Sequence, residues 1–94
     1  MCRIKIQIYH ENNAKGETKL VRTIWIERDS DKKITGKKAG QILANNFPDF
    51  DNSRTRNGLI KTDKGWWAKR TIKPTEKCKY HYIWEEAYIT EETK

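Results

Sequence analysis

The residues from 54 to 84 combine positive charge with aromatic rings more densely than the rest of the chain. This stretch carries nine of the 20 Lys and Arg residues: Arg54, Arg56, Lys61, Lys64, Lys69, Arg70, Lys73, Lys77 and Lys79. Its rings are Trp66, Trp67, Tyr80, Tyr82 and Trp84. Ammonium and guanidinium groups bind phosphates, and flat rings stack on unpaired bases. The stretch therefore predicts a nucleic-acid contact, without distinguishing DNA from RNA or single from double strands.

The adjacent tryptophans Trp66 and Trp67 point to opposite faces of any regular strand. Most rings of this region are expected in the core, because so small a domain needs large side chains inside. Trp67, next to Lys69, is the predicted exposed ring. The full set of predicted nucleic-acid contacts is Arg54, Arg56, Lys61, Trp67, Lys69, Arg70, Lys73, Lys77 and Lys79.

Two further basic clusters have both a binding and a plain interpretation. The range 53–57 holds Ser, Arg, Thr, Arg and Asn, which contact phosphates and base edges on a helix or loop but also form ordinary solvated loops. The second cluster is Lys32, Lys33, Lys37 and Lys38. Lys37 and Lys38 lie in the first turn of a predicted helix, where the helix dipole disfavours positive charge, so contact with an anion is one use for them.

The formal net charge of +7 favours polyanionic partners: nucleic acid, an anionic membrane surface or an acidic protein face. The plain alternative is solubility. No apolar run approaches the roughly 20 residues that span a bilayer, so no membrane association is predicted. The first ten residues lack the apolar block of a signal peptide, and two cysteines suit a reducing compartment, so a cytoplasmic location is expected. The richness in Lys, Ile and Asn suggests an AT-rich genome such as that of a phage or mobile element.

The N-terminal half predicts a β-hairpin. Ile4, Ile6 and Ile8 alternate with polar residues, which is typical of a half-buried strand. A polar turn follows, and the range 19–28 forms a second strand. Its apolar residues fall on both faces: Leu20, Ile24 and Ile26 on one, Val21 and Trp25 on the other. A strand that is apolar on both faces is expected at the sheet centre or beneath a helix.

The middle of the chain predicts one helix and a short second one. Thr35 suits an N-cap, and the helical spacing of Ala39, Ile42, Leu43 and Phe47 ends at Pro48. The range 51–60 is compatible with a short second helix, capped by Asp51 or Ser53 with Leu59 and Ile60 facing the core, whereas Gly58 and the Asn, Ser and Thr content disfavour a helix there.

The range 62–65 reads as a turn, 66–72 as a third strand, 73–77 as a hairpin loop, and 78–85 as a fourth strand that runs on towards residue 89. The fold class is therefore a small α+β domain, in which two β-hairpins flank one or two helices and form an antiparallel sheet. One domain spans 1–89, and an acidic tail, 90–94, is expected to fray. In element order, residues 35–85 resemble a winged helix-turn-helix, although no sequence motif of that family is present.

No cofactor, metal or enzymatic activity is predicted. Zinc was weighed because two cysteines and two histidines are present, but Cys2, His10, Cys78 and His81 lack the usual ligand spacing. The chain has no nucleophile elbow, Gly-rich phosphate loop or HExxH motif.

The leading hypothesis is a small non-enzymatic nucleic-acid-binding protein. The alternative is a phage or mobile-element accessory protein, such as an anti-CRISPR-type inhibitor, that docks on a host nucleic-acid enzyme or its bound nucleic acid. A third hypothesis is a homodimer that pairs through the edge of the first hairpin.

Overall fold

The computed structural model describes residues 2–12, 16–28, 32–72 and 83–93. Within these ranges, five antiparallel strands form one sheet in the order β2-β1-β5-β4-β3, and the α+β prediction is confirmed. The elements are β1 (Cys2–Asn12), β2 (Glu17–Arg28), α1 (Gly36–Asn46), a 3-10 turn (Pro48–Phe50), α2 (Ser53–Arg56), β3 (Ile60–Thr62), β4 (Gly65–Ile72) and β5 (Ile83–Thr93).

The N-terminal strand β1 lies inside the sheet, between β2 and β5. Ile4, Ile6 and Ile8 are almost completely buried on one face, as their alternation predicts. β5 pairs with β1 along its whole length, from Asn12 opposite Ile83 to Cys2 opposite Thr93. Residues 90–93 therefore continue a strand, where the sequence favours a frayed tail.

A β-bulge interrupts the pairing of β1 with β2. Ile8 pairs with Arg22 but Tyr9 pairs with Leu20, so Val21 is an extra residue. Because a bulge shifts the alternation of side chains, Leu20 lies on the face of Tyr9, opposite to Ile24. The prediction that Leu20 shares a face with Ile24 and Ile26 is therefore wrong.

The helices begin through local side-chain caps. The Thr35 hydroxyl accepts a hydrogen bond from the Lys38 backbone N–H at 3.2 Å, which confirms the predicted N-cap of α1. The N-cap of α2 is Asn52, whose side chain accepts from the Thr55 N–H at 2.9 Å, rather than Asp51 or Ser53. With only four residues, α2 is too short for the recognition helix of a helix-turn-helix, so the resemblance to that family ends at element order.

The C-terminal half differs from the sequence prediction in two places. β3 is a short additional strand that pairs with the start of β4 through the predicted turn at 62–65. The last strand, β5, whose first described residue is Ile83, extends to Thr93, beyond both the predicted end at 85 and the continuation to 89. Residues 73–82 lie outside the described part of the chain.

The core lies between the helices and one face of the sheet. It contains Leu43 and Phe50 from the helical layer and the β1 isoleucines, with Ala87 and Ile89 from β5. The Ile34 N–H donates to the Glu91 carboxylate at 3.1 Å, which ties the start of the helical layer to β5. None of the helices in the described part of the chain is long and apolar enough to cross a membrane.

Candidate functional site

Among the described residues, five aromatic rings lie on the sheet face turned away from the helices, which we call the ring face. Pairing register places these rings together, because β1 directs its isoleucines inward and its odd-numbered residues outward. Trp25 lies opposite Lys5, Tyr88 lies between Gln7 and Trp67, and Trp84 lies opposite Glu11. The members of the set are Tyr9, Trp25, Trp67, Trp84 and Tyr88.

The rings of this face differ in exposure. Trp25 on the edge strand β2 is 45% exposed, and the other four rings are half-buried against their neighbours. Tyr9 and Tyr88 meet edge to face, with centroids 5.7 Å apart. Leu20, Val21 and Ile60, the other exposed large apolar side chains among the described residues, lie towards the two edges of the sheet. The ring face thus presents aromatic and other apolar side chains that are partly exposed to solvent.

Four cations lie over the rings of this face. The Arg3 guanidinium carbon is 4.0 Å from the centroid of Trp25, and the Lys5 ammonium is 5.5 Å from it. The Lys69 ammonium is 4.2 Å from the Trp84 centroid, and that of Lys64 is 5.9 Å from the Tyr88 centroid. Cations over aromatic faces are held by the ring quadrupole, so the positive charges are positioned beside the rings.

Two carboxylates organise the ring face. Glu86 accepts hydrogen bonds from the Trp84 indole N–H at 3.1 Å and from the Tyr88 hydroxyl at 3.0 Å. Burial, followed by the hydrogen bond to Glu86, raises the pKa of Tyr88 to about 12. Glu92 pairs with Arg3 at 3.4 Å and with Lys5 at 3.7 Å. These carboxylates are therefore satisfied by groups of the face itself, and they fix the orientation of its rings and cations.

A cleft of about 540 Å³ lies where β4 meets α2, and we call it the edge cleft. Its lining includes Arg54, Lys69 and Arg70, with Leu59 and Ala68 among the apolar residues. A shallower depression of about 440 Å³ on the ring face is bordered by Lys64 and Tyr88. Ile60 and Trp67 line both, so the two surfaces adjoin around the edge of the sheet.

The structure distributes the predicted contact residues over several surfaces. Trp67 and Lys69 lie on the ring face, and Arg54 and Arg70 join them at the edge cleft. Arg70 is already bonded to Glu85 at 2.6 Å and lies 3.5 Å from Asp49.

The remaining predicted contacts lie elsewhere. Arg56 pairs with Asp51, and this hydrogen bond lowers the pKa of Asp51 and raises that of Arg56. Lys61 lies on the helix side, with its ammonium 4.8 Å from the Trp66 ring. Lys73, Lys77 and Lys79 lie outside the described residues.

Sequence reasoning missed the contribution of the N-terminal hairpin. Arg3, Lys5, Tyr9 and Trp25 are far in sequence from the range 54–84, and β5 brings them onto the same face. The polar positions of β1 did carry a signal, since residues that alternate with the buried isoleucines must line the opposite face. Trp66, by contrast, packs against the core. The prediction that most rings of this region lie in the core is wrong for the described ones, because Trp67 and Trp84 lie on the ring face, and Trp67, the predicted exposed ring, is half-buried.

Among the described residues, no group of three or more His, Cys, Asp or Glu side chains is placed to hold a metal ion. Of the four weighed zinc ligands, Cys2 and His10 lie in β1, whereas Cys78 and His81 fall outside the described ranges. Comparison with known proteins finds no matching family model, no matching curated protein and no matching solved structure.

Proposed function

We propose that this protein binds single-stranded nucleic acid through the ring face. The observation that carries the proposal is the position of five described rings on the sheet face turned away from the helices, with four cations 4.0 to 5.9 Å from three of these rings. An open antiparallel sheet that presents aromatic rings can stack unpaired bases, while nearby cations contact the phosphates. Neither step requires catalysis, so the proposed role is binding.

Single strands fit this surface better than duplexes. Bases in a duplex are stacked on each other, so their faces are closed to side-chain rings. A major groove admits a helix, but α2 is a single turn of four residues. The ring face is broad, and its most exposed ring, Trp25, lies near one edge while Trp67 lies near the other. A strand that crosses the sheet would meet both.

Charge supports the proposal at the level of the whole chain. The formal net charge is +7, which attracts any polyanion. On the face itself, Glu86 is bonded to Trp84 and Tyr88, and Glu92 is paired with Arg3 and Lys5. A phosphate would compete with Glu92 for those two cations, so binding is expected to be salt-sensitive and moderate in strength.

The test is fluorescence anisotropy with labelled single-stranded DNA and RNA oligonucleotides and with a duplex, at several salt concentrations. Four phosphate contacts predict a slope of about −3 in a plot of log affinity against log salt. Replacing Trp25 by Ala removes one stacking ring and should weaken binding by about 5- to 150-fold, given the roughly 1–3 kcal/mol of a base–ring stack. The ring is 45% exposed, so the fold should survive its loss.

A matched pair of charge variants separates the ring face from general attraction. Lys5→Gln removes a cation beside Trp25, whereas Lys38→Gln removes an exposed cation from α1 on the other side of the sheet. The proposal predicts a lower salt slope for Lys5→Gln alone. Equal effects of the two variants, or no binding of any oligonucleotide at low salt, would reject it.

A second candidate function is docking onto a protein, and a specific observation favours it. The exposed apolar residues Leu20, Val21, Trp25 and Ile60 lie on or beside a face where Glu92 already pairs with two of the four cations, Arg3 and Lys5, and this mixture suits a protein interface. The partner class proposed from the sequence is a host nucleic-acid enzyme, blocked by a cytoplasmic accessory protein of a phage or mobile element. Retention of a purified partner after nuclease treatment, with loss on Trp25→Ala, would favour this function over the first.

A further inference from the structure

The outer edge of β4 is only partly paired. β3 covers Gly65, Trp66 and Trp67, whereas the range 68–72 has a strand neighbour only on the β5 side among the described residues. In an antiparallel strand, alternate residues direct both the N–H and the C=O to one side. This segment therefore presents two or three backbone sites over about 17 Å that have no strand partner among the described residues. Such an edge accepts a further strand.

The edge cleft has space for an added strand and a surface against which its side chains can pack. It lies between the start of the range 68–72 and α2, with a volume of about 540 Å³. Ala68, Thr55 and Leu59 line it and are 7%, 5% and 9% exposed, so they offer a shallow, largely apolar floor. A strand paired with β4 would direct every second side chain onto this floor.

The charges around the cleft select the chemistry of the strand. Three cations line it, and none of the described residues that line it is a carboxylate. Arg70 is engaged by Glu85 and Asp49, but Arg54 is exposed and has no ion-pair partner among the described residues. Lys69 lies over Trp84 on the ring-face side of the same edge. Acidic side chains would therefore be favoured on both sides of an added strand.

The other possible occupants fit less well. A second copy of the β4 edge would bring Lys69 and Arg70 against the same cations, and like charges across a strand pair are destabilising. The edge of β2 is longer, but the bulge at Val21 interrupts its regular register, a device that blunts edge pairing. These contrasts leave an acidic segment of a different protein as the occupant of the edge cleft.

We propose that the β4 edge binds an extended acidic segment of a partner protein by strand addition. Backbone groups of residues 68–72 supply the affinity that does not depend on sequence. An acidic residue opposite Lys69 and a further one near Arg54 supply the charge preference, and the intervening small apolar side chains rest on Ala68 and Leu59. This activity uses the backbone edge and the edge cleft, so it does not depend on the nucleic-acid function.

The test uses a fluorescein-labelled peptide, Glu-Val-Glu-Val-Glu-Glu, whose last residue lies on the same side of the strand as the two valines and can reach Arg54, and its basic counterpart, Lys-Val-Lys-Val-Lys-Lys. Anisotropy up to millimolar protein should detect the acidic peptide and not the basic one. Hydrogen exchange should slow at amides within 68–72 when the acidic peptide is bound. Two further acidic peptides carry N-methyl groups on the backbone nitrogens of either the odd-numbered or the even-numbered residues. Only one of these two peptides should lose binding, because only one row of N–H groups faces β4.

Charge reversals locate the site. Arg54→Glu and Lys69→Glu should each weaken binding of the acidic peptide by about tenfold or more, the worth of a charge-assisted hydrogen bond. Lys38→Glu makes the same charge change at an exposed position of α1 and should alter affinity by less than about twofold. Equal losses in all three variants, tolerance of both methylation patterns, or no binding of the acidic peptide would overturn the proposal.

Discussion

Gly40 lies where α1 crosses closest to α2, and its replacement by Ala tests how the helical layer is held. A Cβ atom built on Gly40 would lie 1.9 Å from the carbonyl oxygen of Thr55 and 3.0 Å from the carbonyl carbon. Both neighbours are backbone atoms, so no side-chain rotation relieves the clash. The two helices would have to separate by about 1.1 Å to reach the shortest tolerable contact of 3.0 Å.

Two opposing effects set the size of this perturbation. Overpacking of a close backbone contact costs about 1–3 kcal/mol. Ala regains about 1 kcal/mol of helix propensity over Gly within α1. Because the clash involves rigid backbone, the upper end of the cost applies, and we expect a net loss of about 2 kcal/mol. For a domain of this size, that corresponds to a fall of about 8–16 °C in Tm.

Urea denaturation and thermal melts measure this loss directly. Asn45→Ala is the matched control, because it introduces Ala at an exposed position of the same helix and creates no new contact. It should leave the free energy of unfolding unchanged or slightly higher. Because the displaced α2 carries Arg54 at the edge cleft, Gly40→Ala should also weaken binding of the acidic peptide. Oligonucleotide binding at the ring face should not change. A Gly40→Ala protein as stable as Asn45→Ala would refute the close-packing argument.

Three further predictions concern the sheet. Gly65→Ala should destabilise more than Gly16→Ala in urea titrations, because both have positive φ but only at Gly65 would a Cβ lie 2.5 Å from the Ile89 carbonyl oxygen. Arg70→Met should cost about 1–3 kcal/mol in the same assay, because Glu85, only 15% exposed, loses its 2.6 Å partner. The folded-state pKa of Tyr88 is about 12, above the unfolded value near 10. Its stabilising contribution is therefore complete below about pH 10 and lost towards pH 12, and Tyr88→Phe should remove that part of the pH dependence of the unfolding free energy.

Local chemistry made several elements predictable from sequence. The alternation of Ile4, Ile6 and Ile8 identifies a half-buried strand because the period of two is a property of the backbone itself. Thr35 identifies the start of α1 because capping involves residues only three apart. These two predictions depend on no distant part of the chain, and both are confirmed.

Features that depend on pairing between distant strands were not predictable. The face of Leu20 is reversed by a bulge, which the pairing of β2 with β1 produces. The strand order brings Trp25 and Arg3 onto the same face as Trp67 only because β5 inserts between β1 and β4. A search confined to the range 54–84 therefore recovers only part of the candidate site. The cap of α2 is a different case: Asp51, Asn52 and Ser53 are all able to cap this helix, and local chemistry does not choose among them.

The four tryptophan side chains allow the central proposal to be tested in one titration. The indole N–H signals of the ¹⁵N-labelled protein are followed by NMR as an unlabelled single-stranded oligonucleotide is added. Trp25, Trp67 and Trp84 lie on the ring face, whereas Trp66 packs against the core on the other side of the sheet and serves as an internal control. Binding through the ring face predicts that the Trp25 and Trp67 signals shift saturably while Trp66 stays in place. Unchanged signals at saturating oligonucleotide, or a shift of Trp66 as large as that of Trp25, would contradict it.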